Sequence, residues 1–175
     1  MSIIVKAPES QFVPAPPGAH AAVCCDVVEL GDLPNRFDPE APAVRTVRLV
    51  FQIAEDMPDG KPFLIRKDYR ASLHERAGLR KDLASWRGRD FTFEELVGFD
   101  LESIIRVPCM LNVVQRTGSK GGTFSNIAAI MPLPKGMTKI TPRDYVRVKD
   151  RQPPAALAQH NEPEPYHADL DEVPF

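Results

Sequence analysis

The sequence predicts an all-β domain with one or two helices: five short strands, the main helix between the third and fourth, and an acidic tail behind them. Three observations carry this. Apolar residues alternate with polar ones in the first half of the chain, the period of a half-buried strand. The period then lengthens to that of a helix and returns to strands. From Arg151 onward it vanishes into "RQPPAALAQHNEPEPYHADLDEVPF", a Pro-rich and acidic composition that buries too little apolar surface to order itself.

Residues 1–18 end in "VPAPPG" and read as an extended arm. The first strand, about His20–Leu30, is apolar on both faces, and a Pro-rich loop follows. "VRTVRLVFQIAE" sets Val47, Leu49, Phe51 and Ile53 on one face and Arg48, Val50 and Gln52 on the other. The Asp-Gly pair in "DMPDGKP" signals a hairpin into "FLIRKDYRA". The faces of that third strand are Phe63/Ile65/Lys67/Tyr69 and Leu64/Arg66/Asp68/Arg70.

Ser72 and Glu75 have the spacing of a capping box, and Leu79, Leu83 and Trp86 share one face of the helix expected after them. Gly78 weakens that helix and marks a place for a break. "FTFEELVGFDLESI" reads as a second, short helix with Thr92 at its N-cap. "VPCMLNVVQR" and "TFSNIAAIMPL" are the last strands, joined by the glycine-rich "TGSKGG". In the final strand Phe124 and Asn126 are expected to face outward, and Ile127, Ala129 and Met131 inward. Residues 137–150 fit an added strand or an extended arm equally. This order is the plan of an OB-fold, a small, partly open Greek-key barrel, over 19–136, with 137–150 as an extension and 151–175 as a disordered acidic tail.

Composition narrows the function. The 175 residues carry a net charge of −2. Residues 151–175 hold one base and five acids, a net −4, which leaves +2 on the other 150. A basic body with an acidic tail suits a nucleic-acid-associated protein. The three cysteines form no C-x-x-C pair and, with the scattered histidines, give no metal-ligand spacing. No phosphate-binding loop, H-E-x-x-H or G-x-S-x-G occurs, so neither an enzyme nor a cofactor or metal site is expected. The short apolar start and the lack of a membrane-length run point to a cytoplasmic protein with no membrane partner.

The expected ligand is single-stranded nucleic acid. An OB barrel presents the outer wall of its second and third strands. Arg48, Gln52, Arg66 and Arg70 point outward there, with Lys67 beside them and Arg116 and Lys120 in the second hairpin. Bases need flat rings to stack on, each worth about 1–3 kcal/mol. Tyr69 and Phe124 are the candidates, with Asn126 on the face of Phe124. Tyr69 fits the core as well as the groove, a Lys/Arg run among acids also suits a plain solvated face, and Asp68 would repel phosphate.

The end of the chain, "DLDEVPF", resembles the acidic Pro-Phe tip of bacterial single-stranded DNA-binding proteins through Asp169, Asp171, Glu172, Pro174 and Phe175. The middle, from "GKPFLIRKDYRASLHERAGLRKDLASWRGRDFT" through "VPCMLNVV" to "TFSNIAAIMPLPKG", resembles a family of bacteriophage-encoded proteins proposed to bind single-stranded DNA. It departs from the bacterial tip at Leu170 and Val173. The resemblance implies a protein of replication, recombination and repair. It would protect single strands and recruit partner proteins through the tip, the ring of Phe175 entering an apolar pocket and the acids meeting a basic rim. It leaves oligomerisation open. The alternatives are an OB-fold adaptor that binds protein and competes for host replication factors, and an RNA-binding OB-fold.

Overall fold

A computed structural model of the chain describes residues 13–35 and 38–151. The five tail residues of the tip lie outside them. The fold is mostly β: strands β1 (Gly18–Leu33), β2 (Val44–Asp56), β3 (Pro62–Arg70), β4 (Pro108–Thr117) and β5 (Thr123–Met131), and helices α1 (Gly78–Arg87) and α2 (Phe93–Val97). The strands make one antiparallel sheet in the order β3-β2-β1-β4-β5. No ladder joins β3 to β5 among the described residues, so the sheet is open there, although the two edge strands lie against each other.

β1 is the hub. Its first half pairs with β4 and its second with β2, so a strand buried on both faces is what the position requires. It outruns the predicted span and carries register shifts at Cys24/Asp26 and Glu29/Gly31, each adding one unpaired residue that bends the strand. The β2–β3 hairpin turns at Gly60, whose φ of 81° is the left-handed conformation a glycine adopts freely.

The core gathers the inward residues of every strand. Leu49, Phe51, Leu111 and Ile130 are completely buried. α1 closes this core as expected, with Leu79, Leu83 and Trp86 inward, each adding about 1.5–3 kcal/mol by leaving water. Trp86 packs on Phe51 with ring centroids 5.7 Å apart and donates its indole N–H to the Pro108 carbonyl at 3.0 Å. The indole is thus buried without an unmet donor.

Two sequence expectations need correction. The capping box at Ser72 and Glu75 does not form. Helix α1 starts at Gly78, after an N-cap at Ala77 that offers no side-chain bond. Ser72 Oγ instead accepts from the His74 N–H at 3.2 Å, a local turn that competes with the helix. In β5, Val113 pairs with Ile127 and Asn112 with Ala129, so Ala128 is an extra residue. This bulge shifts the phase by one. Ile127 and Ile130 enter the core, while Ala129 and Met131 are only half-buried.

The capping box at α2 does form. Thr92 Oγ1 accepts from the Glu95 N–H, and the Glu95 carboxylate accepts from the Thr92 N–H at 2.9 Å. Glu95 also pairs with Arg89 at 2.8 Å and with Arg87, whose guanidinium lies over the Phe91 and Phe99 rings. The Arg89 hydrogen bond, then those of Arg87 and the Thr92 N–H, hold the Glu95 carboxyl well below its ordinary value of 4.5. A depressed carboxyl stabilises the fold above its unfolded value and loses that contribution as the pH falls toward the folded one. The thermal midpoint should therefore drop on acidification below about pH 4.5, and drop less in Glu95→Gln. Equal acid sensitivity in the two proteins would remove Glu95 from the account.

Both flanking segments belong to the domain. Ala15, in the stretch read as an arm, is buried, and its carbonyl accepts from Gln115 Nε2 at 2.9 Å and Ser125 Oγ at 2.6 Å. Residues 143–151 form a strap across the outer face of β1 and β2. Asp26, 1% exposed, accepts from Tyr145 Oη at 3.1 Å, Arg147 Nε at 2.9 Å, the Val148 N–H at 2.8 Å and the Val27 N–H at 2.9 Å. Arg147 reaches on to both Glu102 oxygens, at 2.8 and 2.6 Å. The strap forms no strand.

Candidate nucleic-acid interface

The outer wall is built by register. Opposite pairs Arg48/Asp68, Val50/Arg66 and Thr46/Arg70 put these side chains on one face of β2 and β3, since alternate residues of a strand share a side. On the other arm of the sheet, Val114/Asn126 and Arg116/Phe124 pair across β4 and β5. Where the free edges of β3 and β5 approach, these two faces meet. Arg48, Arg66, Lys67, Asp68, Arg116, Asn126 and Ile127 line one cleft of about 430 Å³.

The cations of this cleft differ in availability. Arg48 is held by Asp68 in a two-pronged pair, Nε to Oδ1 at 2.6 Å and Nη2 to Oδ2 at 2.8 Å. That hydrogen bond raises the Arg48 guanidinium above its ordinary value. Lys67 turns under the strand and binds Asp82 at 2.6 Å. Arg66 and Arg116 are exposed and make no ion pair among the described residues. Arg70, equally exposed, lines an adjoining cleft of about 870 Å³ with Asn35, His74 and Arg76. Asp68 borders both clefts, so together they form one groove.

Two candidates fall elsewhere than expected, and a third, Lys67, lines the cleft but is already paired. Tyr69 is 6% exposed and donates its hydroxyl to Asp82 at 2.6 Å. Burial, and then that bond, push its phenol up, so it is a core residue and offers no face for stacking. Gln52 lies on the outer face but is only 2% exposed. Its amide is spent on the strap: Nε2 donates to the Arg143 carbonyl at 2.6 Å and Oε1 accepts from the Arg143 N–H at 2.7 Å. Lys67 is committed to Asp82.

Phe124 keeps 52% of its surface exposed. Its ring lies over the β4–β5 hairpin loop, where a Cβ on Gly118 would stand 2.8 Å from Cε2. Glycine at 118 is what lets the ring lie against the loop. Lys120, at the loop tip, is exposed. The second cleft, with Arg76, His74 and Asn35, was missed by the sequence reading. These residues sit outside the strands and helices, where alternation carries no directional signal.

The groove is lined by guanidinium groups, the amides of Asn35 and Asn126 and the Asp68 carboxylate, and the half-exposed Phe124 stands opposite Arg116 across β4 and β5. This arrangement can hold phosphates and stack a base. No protein-family model matches this chain, and no curated protein is significantly similar to it. Among the described residues, no helix is long and apolar enough to cross a membrane.

Proposed function

We propose that this chain binds and protects single-stranded DNA during replication, recombination and repair, in the manner of the bacteriophage-encoded proteins its middle resembles. The observation that carries the reading is the meeting of Arg66 and Arg116. Arg66 stands on β3, at one end of the sheet order, and Arg116 on β4, three places along it, and they converge in one cleft without acid partners among the described residues. Cations so placed follow a phosphate backbone, and Phe124 gives a base a surface to stack on. The strand order, with α1 between β3 and β4, fits the OB plan, and the groove lies on the wall that fold uses for ligands. In this reading the tail, through Asp169, Asp171, Glu172, Pro174 and Phe175, recruits replication and repair proteins to the coated strand.

The test is a titration of fluorescent oligo-dT, and of a duplex of equal length, at several salt concentrations, with the full chain and with a chain ending at Ala168. Both proteins should prefer the single strand. Their affinity should fall as salt rises, because bound phosphates release counterions. The shortened chain should keep its DNA affinity and lose capture of replication proteins. A second reading, a protein-binding adaptor, is favoured by Phe93 and Val97, 84% and 79% exposed one turn apart on α2. The adaptor predicts no salt-sensitive oligo-dT binding.

A further inference from the structure

We infer that Asp68 is a built-in competitor for the phosphate of the bound strand. Its carboxylate takes, on Arg48, the place a phosphate would take, and a strand seats fully only by displacing it. The inference rests on the groove being a phosphate track.

Four observations support it. Among the described residues, Asp68 is the only carboxylate lining either cleft, and it borders both. It grips Arg48 by two parallel bonds of 2.6 and 2.8 Å, and carboxylate and phosphate use a guanidinium in this same forked geometry. The two side chains are 30% and 27% exposed, so an incoming anion can reach the pair. Finally, Asp68 stands between Arg66 and Arg70 on the outer face of β3. A phosphate drawn to those two cations arrives beside it.

The consequence is a groove that holds its strand less tightly than its cations alone would. Each approaching phosphate meets one fixed negative charge. Arg48 changes partner rather than gaining one, so its contribution to counterion release is muted.

The full chain and Asp68→Asn are compared by anisotropy with fluorescent oligo-dT over a series of salt concentrations. Asparagine keeps the shape and removes the charge. The variant should bind about tenfold more tightly, with a salt slope steeper by about 0.7, the share of one additional phosphate contact on a single strand. In an Arg48→Gln background the same change should leave the slope unaltered. Unchanged or weaker binding by a folded Asp68→Asn protein overturns the inference. Should that variant fail to fold, the wild-type protein decides: the Arg48 Nε–H resonance should shift as oligo-dT is added, and a signal unmoved at saturation overturns the inference equally. Tight wild-type binding with an indifferent Asp68→Asn removes this inference alone. Absence of any oligo-dT binding by the wild type removes the groove reading and this inference with it.

Discussion

Replacing Arg66 and Arg116 together by Glu should lower the affinity for oligo-dT by about 100-fold or more at low salt, about 2.7 kcal/mol. The size of the effect comes from location. Both side chains face the same cleft from different strands, so one double variant deletes two phosphate contacts and installs two repulsions. It should cost little stability. Both residues are exposed and unpaired among the described residues, and surface changes of this kind usually stay within about 0.5 kcal/mol. Anisotropy gives the affinity and a thermal melt checks the fold. A loss below threefold in a protein that melts normally would mean that the nucleic acid, if bound at all, lies elsewhere.

The second large effect concerns stability. Asp26→Ala should destabilise the protein by about 3–5 kcal/mol, the cost of breaking a buried ion pair by removing one partner. Three of the four bonds that Asp26 accepts come from the strap, at Tyr145, Arg147 and the Val148 N–H. Without the carboxylate these groups lose their anchor. The strap would lift from β1 and β2 and uncover Val50, which is 7% exposed although it lies on the outer face. The thermal midpoint should fall by about 10 °C, and trypsin should cut at Arg143 and Arg147 far sooner than in the wild type. A midpoint within about 2 °C of wild type, with unchanged proteolysis, would show the strap to be held by something other than Asp26.

The strap also relates the segment around Arg143 to the groove. Gln52 holds Arg143 by both amide atoms and is the neighbour, two residues on, of the Val50/Arg66 position. The segment that precedes the acidic tail is therefore tied to the same wall of the sheet that carries Arg66. Under the proposed function, partners drawn to the tail would arrive near a strand lying in the groove, and the linker would set their effective concentration.

What the sequence determined by itself was most of what repeats locally. The alternation in β2 and β3, the i, i+4, i+7 spacing of Leu79, Leu83 and Trp86, the Thr92 cap and the Asp-Gly turn are each written within a few residues, because a strand or a helix places neighbours by a fixed period. Those patterns yielded five strands with a helix between the third and fourth, and they set Arg48, Arg66 and Arg70 outward. The tertiary structure decided which outward residues meet, which are covered and which are already paired. Gln52 reads as a surface glutamine until residue 143 crosses it, Tyr69 fits both core and groove until Asp82 takes its hydroxyl, and Asp26 looks like any strand acid until the strap closes over it. These partners stand 91, 13 and up to 122 positions away. Contacts at such separations are made by folding the sheet, and no local period records them.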